Sequence, residues 1–126
     1  MLHQSAPPLA LDRGDGLTVE VLTAGTGTEV AATSVVSLSY RAFLDAAEQP
    51  FDASDDSGVP LQLKLGPGAG PRVIEGLSRG LVGLRCGTHA KLHIPAALGW
   101  GAAGSPASGV PADAKLVYEV HVLDVR

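Results

Sequence analysis

One short stretch of the chain has the residue pattern of a hydrolase active site. Residues 76–80 read Gly-Leu-Ser-Arg-Gly, the Gly-x-Ser-x-Gly spacing that presents a nucleophilic serine in many hydrolases. In those enzymes the serine lies on a sharp turn between a strand and a helix, above a parallel sheet. Here a Gly/Pro-rich loop precedes the motif, and the neighbouring strands have an antiparallel pattern. We therefore predict that Ser78 is an exposed residue of a short helix, and a serine hydrolase is the less favoured alternative.

Three other patterns could hold an ion or a cofactor, and each departs from its template. Residues 52–58 are rich in Asp and Ser, but their glycine comes one position late for a calcium loop, and Leu63 stands where that loop needs a closing glutamate. His89 and His93 would be about 13 Å apart along a strand, too far for one metal ion. Residues 66–70 lack the spacing of a dinucleotide-binding loop. We therefore predict no metal site and no cofactor.

Composition limits the number of domains and the classes of partner. The 126 residues suffice for one domain with a modest core, which we assign to residues 16–126 after a flexible lead over residues 1–15. The formal net charge of −4 disfavours nucleic acid as a partner. No apolar run reaches the ~20 residues that cross a bilayer, so we expect no membrane association. The single Cys86 leaves the compartment open; the cytoplasm is favoured, and a periplasmic or processed form is the alternative.

Apolar residues at every second position predict several strands, with one helix among them. Residues 73–82 have the helical period, although Gly76 and Gly80 are poor helix formers, so packing must hold this helix. A twisted antiparallel sheet whose apolar face wraps the helix satisfies both periods. We therefore predict an α+β fold in which about five strands curl around one short α-helix. The predicted strands cover residues 17–21, 36–44, 61–65, 88–94 and 115–125.

Five segments, taken together and in order, carry a family resemblance. They are Val-Ser-Leu-Ser-Tyr at 36–40, Phe-Asp-Ala-Ser at 51–54, Val-Ile-Glu-Gly-Leu at 73–77, Ile-Pro-Ala-Ala-Leu-Gly-Trp-Gly at 94–101, and Val-Pro-Ala-Asp-Ala-Lys-Leu-Val-Tyr-Glu-Val at 110–120. The chain resembles the FKBP-type peptidyl-prolyl cis-trans isomerases, the tacrolimus-binding immunophilins, over nearly all of residues 17–125. That family folds as an antiparallel sheet curled around one short helix, in agreement with the pattern of strands above.

The resemblance implies a pocket and a role for each matched residue. The backbone N–H of Ile74 would hydrogen-bond a carbonyl of the ligand, and Leu77 would form the pocket floor. The implied catalytic residues are Tyr40, Phe51, Asp52, Ile74, Trp100 and Tyr118, and the implied substrate-binding residues are Leu61, Val73, Leu77 and Val110.

The same resemblance implies an activity and a set of partners. The activity would be rotation about X-Pro peptide bonds in protein substrates, through non-covalent stabilisation of the twisted amide in an apolar pocket, in support of protein folding. The implied partners are proline-containing polypeptides and macrolides of the tacrolimus or rapamycin type, bound by a monomer. The alternative is a catalytically weak module that binds a proline-containing peptide or partner.

Several matched positions depart from the family pattern. Leu77 stands where the family usually has Trp, Trp100 where it usually has Tyr, and Tyr118 where it often has Phe. A less aromatic floor predicts weaker macrolide binding.

Asp52 has two interpretations that the sequence leaves open. Its carboxylate either lies at the pocket wall and orients Tyr40 or a substrate dipole, or caps backbone N–H groups in a turn.

Overall fold

One antiparallel sheet dominates the computed structural model, which describes residues 9–45, 47–54, 60–66 and 74–126. Its strands are β1 (Leu9–Asp12), β2 (Thr18–Thr23), β3 (Val35–Leu44), β4 (Asp52–Ala53), β5 (Leu61–Lys64), β6 (His89–Ile94) and β7 (Leu116–Val125). They lie in the order β1-β2-β6-β7-β3-β4, and β5 also pairs with β3. The helix α1 (Glu75–Leu81) and two 3-10 turns at Ala96–Leu98 and Pro106–Ser108 accompany the sheet. Within the described residues, no helix is long and apolar enough to span a bilayer.

The long strands β3 and β7 form the centre of the sheet. They pair antiparallel along their length, from Val36 opposite Val125 to Leu44 opposite Leu116. Successive side chains of a strand point to opposite faces, so each strand has one buried face and one face turned outward. The buried inward residues are Val36, Leu38, Tyr40 and Ala42 on β3 and Leu116, Tyr118, Val120 and Val122 on β7.

Two glycines allow α1 to lie against the sheet. A Cβ on Gly76 would overlap the side chain of Ile94, and one on Gly80 would lie 3.0 Å from Cδ1 of Leu92. Without those two Cβ atoms, α1 approaches β6 closely and buries Leu77, which is only 1% exposed. Packing therefore offsets the low helix propensity of the two glycines, as the sequence predicts.

The predicted architecture is confirmed, and two short strands add to it. The structure corrects the flexible lead predicted for residues 1–15, because Leu9–Asp12 form β1 and pair with β2 from Val21 to Thr18. Strand β1 reads Leu-Ala-Leu-Asp, which lacks apolar–polar alternation, and the edge of β2 supplies its hydrogen-bonding partner. Strand β4 has only two residues, too few to show any period. Residues 1–8 lie outside the described part of the chain.

Candidate active site

Two tyrosines on neighbouring strands form the centre of the candidate site. Tyr40 on β3 and Tyr118 on β7 both face the core and are 6% and 4% exposed. Because Tyr118 pairs with Ala42, two residues from Tyr40, the two tyrosines are diagonal neighbours across the strands. Their ring centroids lie 6.0 Å apart and their planes differ by 16°, a stacked arrangement. The central strand pair therefore positions both rings.

Phe51 and Trp100 extend this pair into a cluster of four aromatic rings. The N–H of Phe51 donates a 2.8 Å hydrogen bond to the carbonyl of Ala42, which holds Phe51 beside the central strands. The Phe51 ring meets Tyr118 edge to face, with centroids 6.4 Å apart and planes at 81°. It meets Trp100 in the same way, at 6.2 Å and 75°. Phe51 and Trp100 are half-buried, so the cluster keeps an apolar surface that a ligand can reach.

The loop that carries Trp100 is tied together by its own backbone. The carbonyl of Ala96 accepts hydrogen bonds from the N–H groups of Gly99 and Gly101, and the carbonyl of Trp100 accepts one from Gly104. These bonds fold the chain tightly around Trp100. Further along the same loop lies Val110, a predicted substrate-binding residue, which is 2% exposed. Its N–H and carbonyl are both hydrogen-bonded to the backbone of Ser105.

Asp52 is joined directly to the tyrosine pair. The hydroxyl of Tyr40 donates a 2.6 Å hydrogen bond to Oδ2 of Asp52. Strand β4 brings the two side chains together, because Asp52 pairs with Ala42 at the end of β3 that follows Tyr40. Hydrogen bonds to an ionised acceptor are short and strong, and this one orients the tyrosine hydroxyl. The contact supports the first interpretation of Asp52, in which the carboxylate orients Tyr40, and its place in a pocket wall stays a prediction.

Ser54 supports the same tyrosine, in a role that the sequence pattern does not indicate. Its Oγ accepts a 2.8 Å hydrogen bond from the N–H of Tyr40, and its own N–H donates a 3.0 Å bond to the Tyr40 carbonyl. Ser54 is 6% exposed, so these bonds satisfy polar groups that are cut off from water. The signal in the sequence is its place in the segment 51–54, directly after the Phe-Asp pair.

Two more of the predicted residues, Ile74 and Leu61, belong to the hydrophobic core or pack against it. Ile74 precedes α1 and is 6% exposed, and its carbonyl accepts the N–H groups of Leu77 and Ser78. Its own N–H has no hydrogen-bond acceptor among the described residues. Leu61 on β5 pairs with β3 and packs partly against the core. Val73 lies outside the described residues.

The hydrolase alternative does not fit the position of Ser78. This serine lies within α1, where its N–H donates to the Ile74 carbonyl as in an ordinary helical turn. A nucleophile elbow would place it on a sharp turn at the edge of a parallel sheet, and the sheet here is antiparallel.

Burial keeps the hydroxyl of Tyr118 in its neutral form. The pKa of Tyr118 is raised well above its ordinary value, chiefly by desolvation and further by the nearby Tyr40 and Asp52. A phenolate is therefore disfavoured inside the aromatic cluster, and the cluster is uncharged at this point.

Comparisons with known proteins agree with this architecture. The family model for FKBP-type peptidyl-prolyl cis-trans isomerases matches residues 27–123. FK506-binding protein 2 of Kluyveromyces lactis is 39% identical over 92 residues, 73% of this chain and 63% of that protein. FK506-binding protein 4 of Gibberella zeae is 34% identical over 97% of this chain but only 23% of its own length. The FK506-binding protein of Neisseria meningitidis is 38% identical over 87% of this chain and 96% of that protein.

Solved structures show the same fold. The N-terminal domain of FKBP42 from Arabidopsis thaliana superposes with a TM-score of 0.85 over 99% of this chain and 98% of that one, at 24% identity. FkpA from Escherichia coli superposes with a TM-score of 0.76 at 34% identity, over 87% of this chain and 48% of that one. The chain thus spans less than two thirds of several of the proteins it matches.

The chain belongs to the FKBP-type peptidyl-prolyl cis-trans isomerase family. The resemblance predicted from the five segments is confirmed, because the family match covers all five of them, together with the strands β3 to β6 and β7 as far as residue 123. The family as a whole binds proline-containing substrates and macrolides.

Proposed function

We propose that this chain catalyses cis-trans isomerisation of X-Pro peptide bonds in flexible or unfolded polypeptides, and so assists their folding. The observation that carries the proposal is the cluster formed by Tyr40, Phe51, Trp100 and Tyr118, with Asp52 hydrogen-bonded to Tyr40. It unites the aromatic and acidic residues to which the family resemblance assigns catalytic roles. The chain spans only 63% of the K. lactis relative and 23% of the G. zeae relative. We therefore propose the activity for this chain from the contacts of its own residues.

The reaction needs a preference for the twisted amide. Rotation about a peptide bond crosses a barrier of ~18–20 kcal/mol because it breaks the resonance of the C–N bond. The cis and trans forms of X-Pro differ by only about 1 kcal/mol, so an enzyme gains rate only by stabilising the state between them. In that state the carbonyl is less charge-separated than in the planar amide. An apolar pocket therefore disfavours the planar forms relative to the twisted one.

The described side chains supply such a setting. The rings of Phe51, Trp100 and Tyr118 form an apolar surface, and Tyr118 stays neutral because burial raises the pKa of its hydroxyl. The Ile74 N–H, which has no acceptor among the described residues, would hold a substrate carbonyl and fix its position. The Asp52 carboxylate keeps the Tyr40 hydroxyl turned toward it, so the pocket wall does not reorganise during rotation. The mechanism includes no covalent step.

A refolding assay limited by proline isomerisation tests this proposal. The wild-type chain should accelerate the slow phase, and Asp52→Ala and Tyr118→Ala should each lower the acceleration by roughly tenfold or more, the effect of losing one charge-assisted hydrogen bond or one aromatic wall. Asp45→Ala is the matched control, because Asp45 is an exposed acid just beyond the end of β3. Equal losses in Asp45→Ala and Asp52→Ala would assign the effect to surface charge and count against the proposed site.

The second candidate is a binding module that uses the same pocket without accelerating isomerisation. One observation favours it: the buried position 77, only 1% exposed, holds leucine where the family usually has tryptophan. Such a module would bind a proline-containing peptide in calorimetry and leave the refolding rate unchanged.

The leucine at position 77 also bears on macrolide binding. Because it replaces the usual tryptophan, we propose that macrolides of the tacrolimus type bind this chain more weakly than they bind family members with the aromatic floor. We also propose that the chain acts as a monomer.

A further inference from the structure

A second group of polar side chains lies on the outer face of the sheet. On β7, Glu119 and His121 alternate with the buried residues Tyr118 and Val120, so they point away from the aromatic cluster. They line a shallow open depression of ≈ 260 Å³ together with His89 on the neighbouring strand β6. The depression is separated from the candidate active site by the thickness of the sheet.

Two histidines meet across strands in this depression. His89 on β6 lies directly opposite His121 on β7, which places both side chains on the same face. Their ring centroids are 6.0 Å apart, and the ring planes differ by 49°. An imidazole bound to a metal ion through nitrogen at ~2.1 Å has its ring centroid about 3.2 Å from the ion, so two such rings lie no more than about 6.4 Å apart. The observed separation falls within that limit.

Glu119 completes the group. Nε2 of His89 and Oε2 of Glu119 are 3.0 Å apart. Two ligand atoms at ~2.1 Å from one ion and at right angles to each other are separated by about 3.0 Å, so this pair already has the spacing of adjacent ligands. No three His, Cys, Asp or Glu side chains among the described residues are yet grouped around one ion position. The His121 imidazole can supply the third ligand, because it is exposed and makes no hydrogen bond or ion pair with a described residue.

We propose that His89, His121 and Glu119 form a binding site for one divalent transition metal ion of the Ni²⁺, Cu²⁺ or Zn²⁺ class. Two imidazoles and one carboxylate favour these ions over Ca²⁺ and Mg²⁺, which prefer oxygen ligands. Lys91 and Arg41 lie opposite Glu119 on the two neighbouring strands, and their positive charge opposes cation binding. The site is therefore of modest affinity. It is independent of the proposed isomerase function because it lies on the other face of the sheet.

The second histidine of β6 provides an internal comparison. His93 contacts Glu20 with Nε2 and Oε1 3.1 Å apart, nearly the same pairing as His89 with Glu119. Its cross-strand neighbours are Thr18 and Val117, however, so it has no second imidazole beside it. His89 and His93 lie too far apart along one strand to share an ion, and only the register between β6 and β7 places His121 beside His89. A His–Glu pair alone should bind the ion much more weakly than the cross-strand group.

Calorimetric titration of the untagged chain with NiCl₂ at neutral pH tests the site. We expect one ion per chain, with a dissociation constant in the micromolar range. His89→Ala and His121→Ala should each weaken binding by at least the roughly tenfold that loss of a supporting residue already causes in metal sites. His93→Ala and His3→Ala, which remove the other two histidines of the chain, should leave the affinity unchanged within about twofold.

Thermal unfolding supplies a second readout. Bound Ni²⁺ should raise the unfolding temperature of the wild-type chain and of His93→Ala, because an ion that binds only the folded state stabilises it. It should not raise that of His121→Ala. His121 is exposed, so this variant should unfold at the wild-type temperature without metal. No binding up to millimolar Ni²⁺, or binding that survives in both His89→Ala and His121→Ala, would overturn the proposal. So would an equal loss in His93→Ala.

Discussion

The hydroxyl of Tyr40 donates a 2.6 Å hydrogen bond to Oδ2 of Asp52, and this bond links the long strand β3 to the two-residue strand β4. Ser54 holds the backbone of the same tyrosine: its Oγ accepts a hydrogen bond from the Tyr40 N–H, and its own N–H donates one to the Tyr40 carbonyl. Its ring stacks on Tyr118. Tyr40 is therefore held at its hydroxyl, its ring and its backbone, which fixes the orientation of its side chain.

The Tyr40–Asp52 bond should behave as one unit in kinetics. Tyr40→Phe removes the donor and Asp52→Ala removes the acceptor, and each should lower kcat/KM by roughly 10- to 100-fold, since a hydrogen bond to a charged group is worth about 1.5–3 kcal/mol. The double variant should lose hardly more than either single variant, because the second change removes a bond that is already absent. Peptide isomerisation kinetics of the four proteins measure this coupling. Losses that simply multiply would show that the two residues act separately.

The close contact of α1 with β6 predicts an unusual response to alanine. Gly76→Ala improves helix propensity but drives a Cβ into Ile94, so we expect the free energy of unfolding to fall by about 1–3 kcal/mol. Ser78→Ala, two positions along the same helix, should change it by less than about 0.5 kcal/mol, because Ser78 is only half-buried and its side chain makes no hydrogen bond with a described residue. Urea unfolding of both variants provides the comparison. A more stable Gly76→Ala would contradict the packing described here.

The buried hydroxyl of Tyr118 should make the folded protein less stable at alkaline pH. Its folded-state pKa lies above the ordinary value of 10.0, so above about pH 10 the unfolded chain releases a proton that the folded chain retains. The contribution of Tyr118 to stability is therefore complete below pH 10. It falls as pH rises further, by up to about 1.4 kcal/mol per pH unit. The free energy of unfolding, measured from pH 8 to pH 11, should show this decline above pH 10 in the wild type. Tyr118→Phe should lack the contribution of Tyr118 to the decline. Parallel curves for the two proteins would mean that Tyr118 is not desolvated.

The elements that the sequence predicts well are those with long alternation. The ten-residue strands β3 and β7 place Tyr40 and Tyr118 inward by parity alone, and the five segments identify the family. Strand β1 reads Leu-Ala-Leu-Asp without apolar–polar alternation, and β4 has two residues, too few for a period. Both strands exist because neighbouring strands supply hydrogen-bonding partners. Local pattern cannot contain that information.

In the candidate site, too, the sequence predicts some features, whereas others depend on contacts between distant segments. Residue types and order indicate Phe51, Asp52 and Trp100, but the edge-to-face contacts and the Tyr40–Asp52 bond arise only when distant segments meet. Ser54 was missed because a serine in a turn segment has no distinctive pattern until its partner is known. The pairing of His89 with His121 was missed because it depends on the register between two strands.

Leu77 gives a prediction about ligands. Leu77→Trp would restore the aromatic floor that the family usually has, and we expect it to tighten tacrolimus binding by roughly tenfold through added aromatic contact. Leu77 is 1% exposed, so the larger ring should also cost about 1–3 kcal/mol of folding stability through overpacking. Fluorescence or calorimetric titration with tacrolimus compares the two proteins, and Leu84→Met serves as a control at another buried position. Unchanged affinity in a folded Leu77→Trp variant would place residue 77 away from the ligand.

The most direct test of the central claim is the rate of cis-trans isomerisation of short X-Pro peptides, measured with the residue before proline varied. We expect the wild-type chain to accelerate the reaction at concentrations far below that of the peptide, and Tyr118→Ala to lose most of the acceleration while it remains folded. Peptide binding without any acceleration, even at enzyme concentrations near that of the substrate, would contradict it and leave the pocket as a binding site alone.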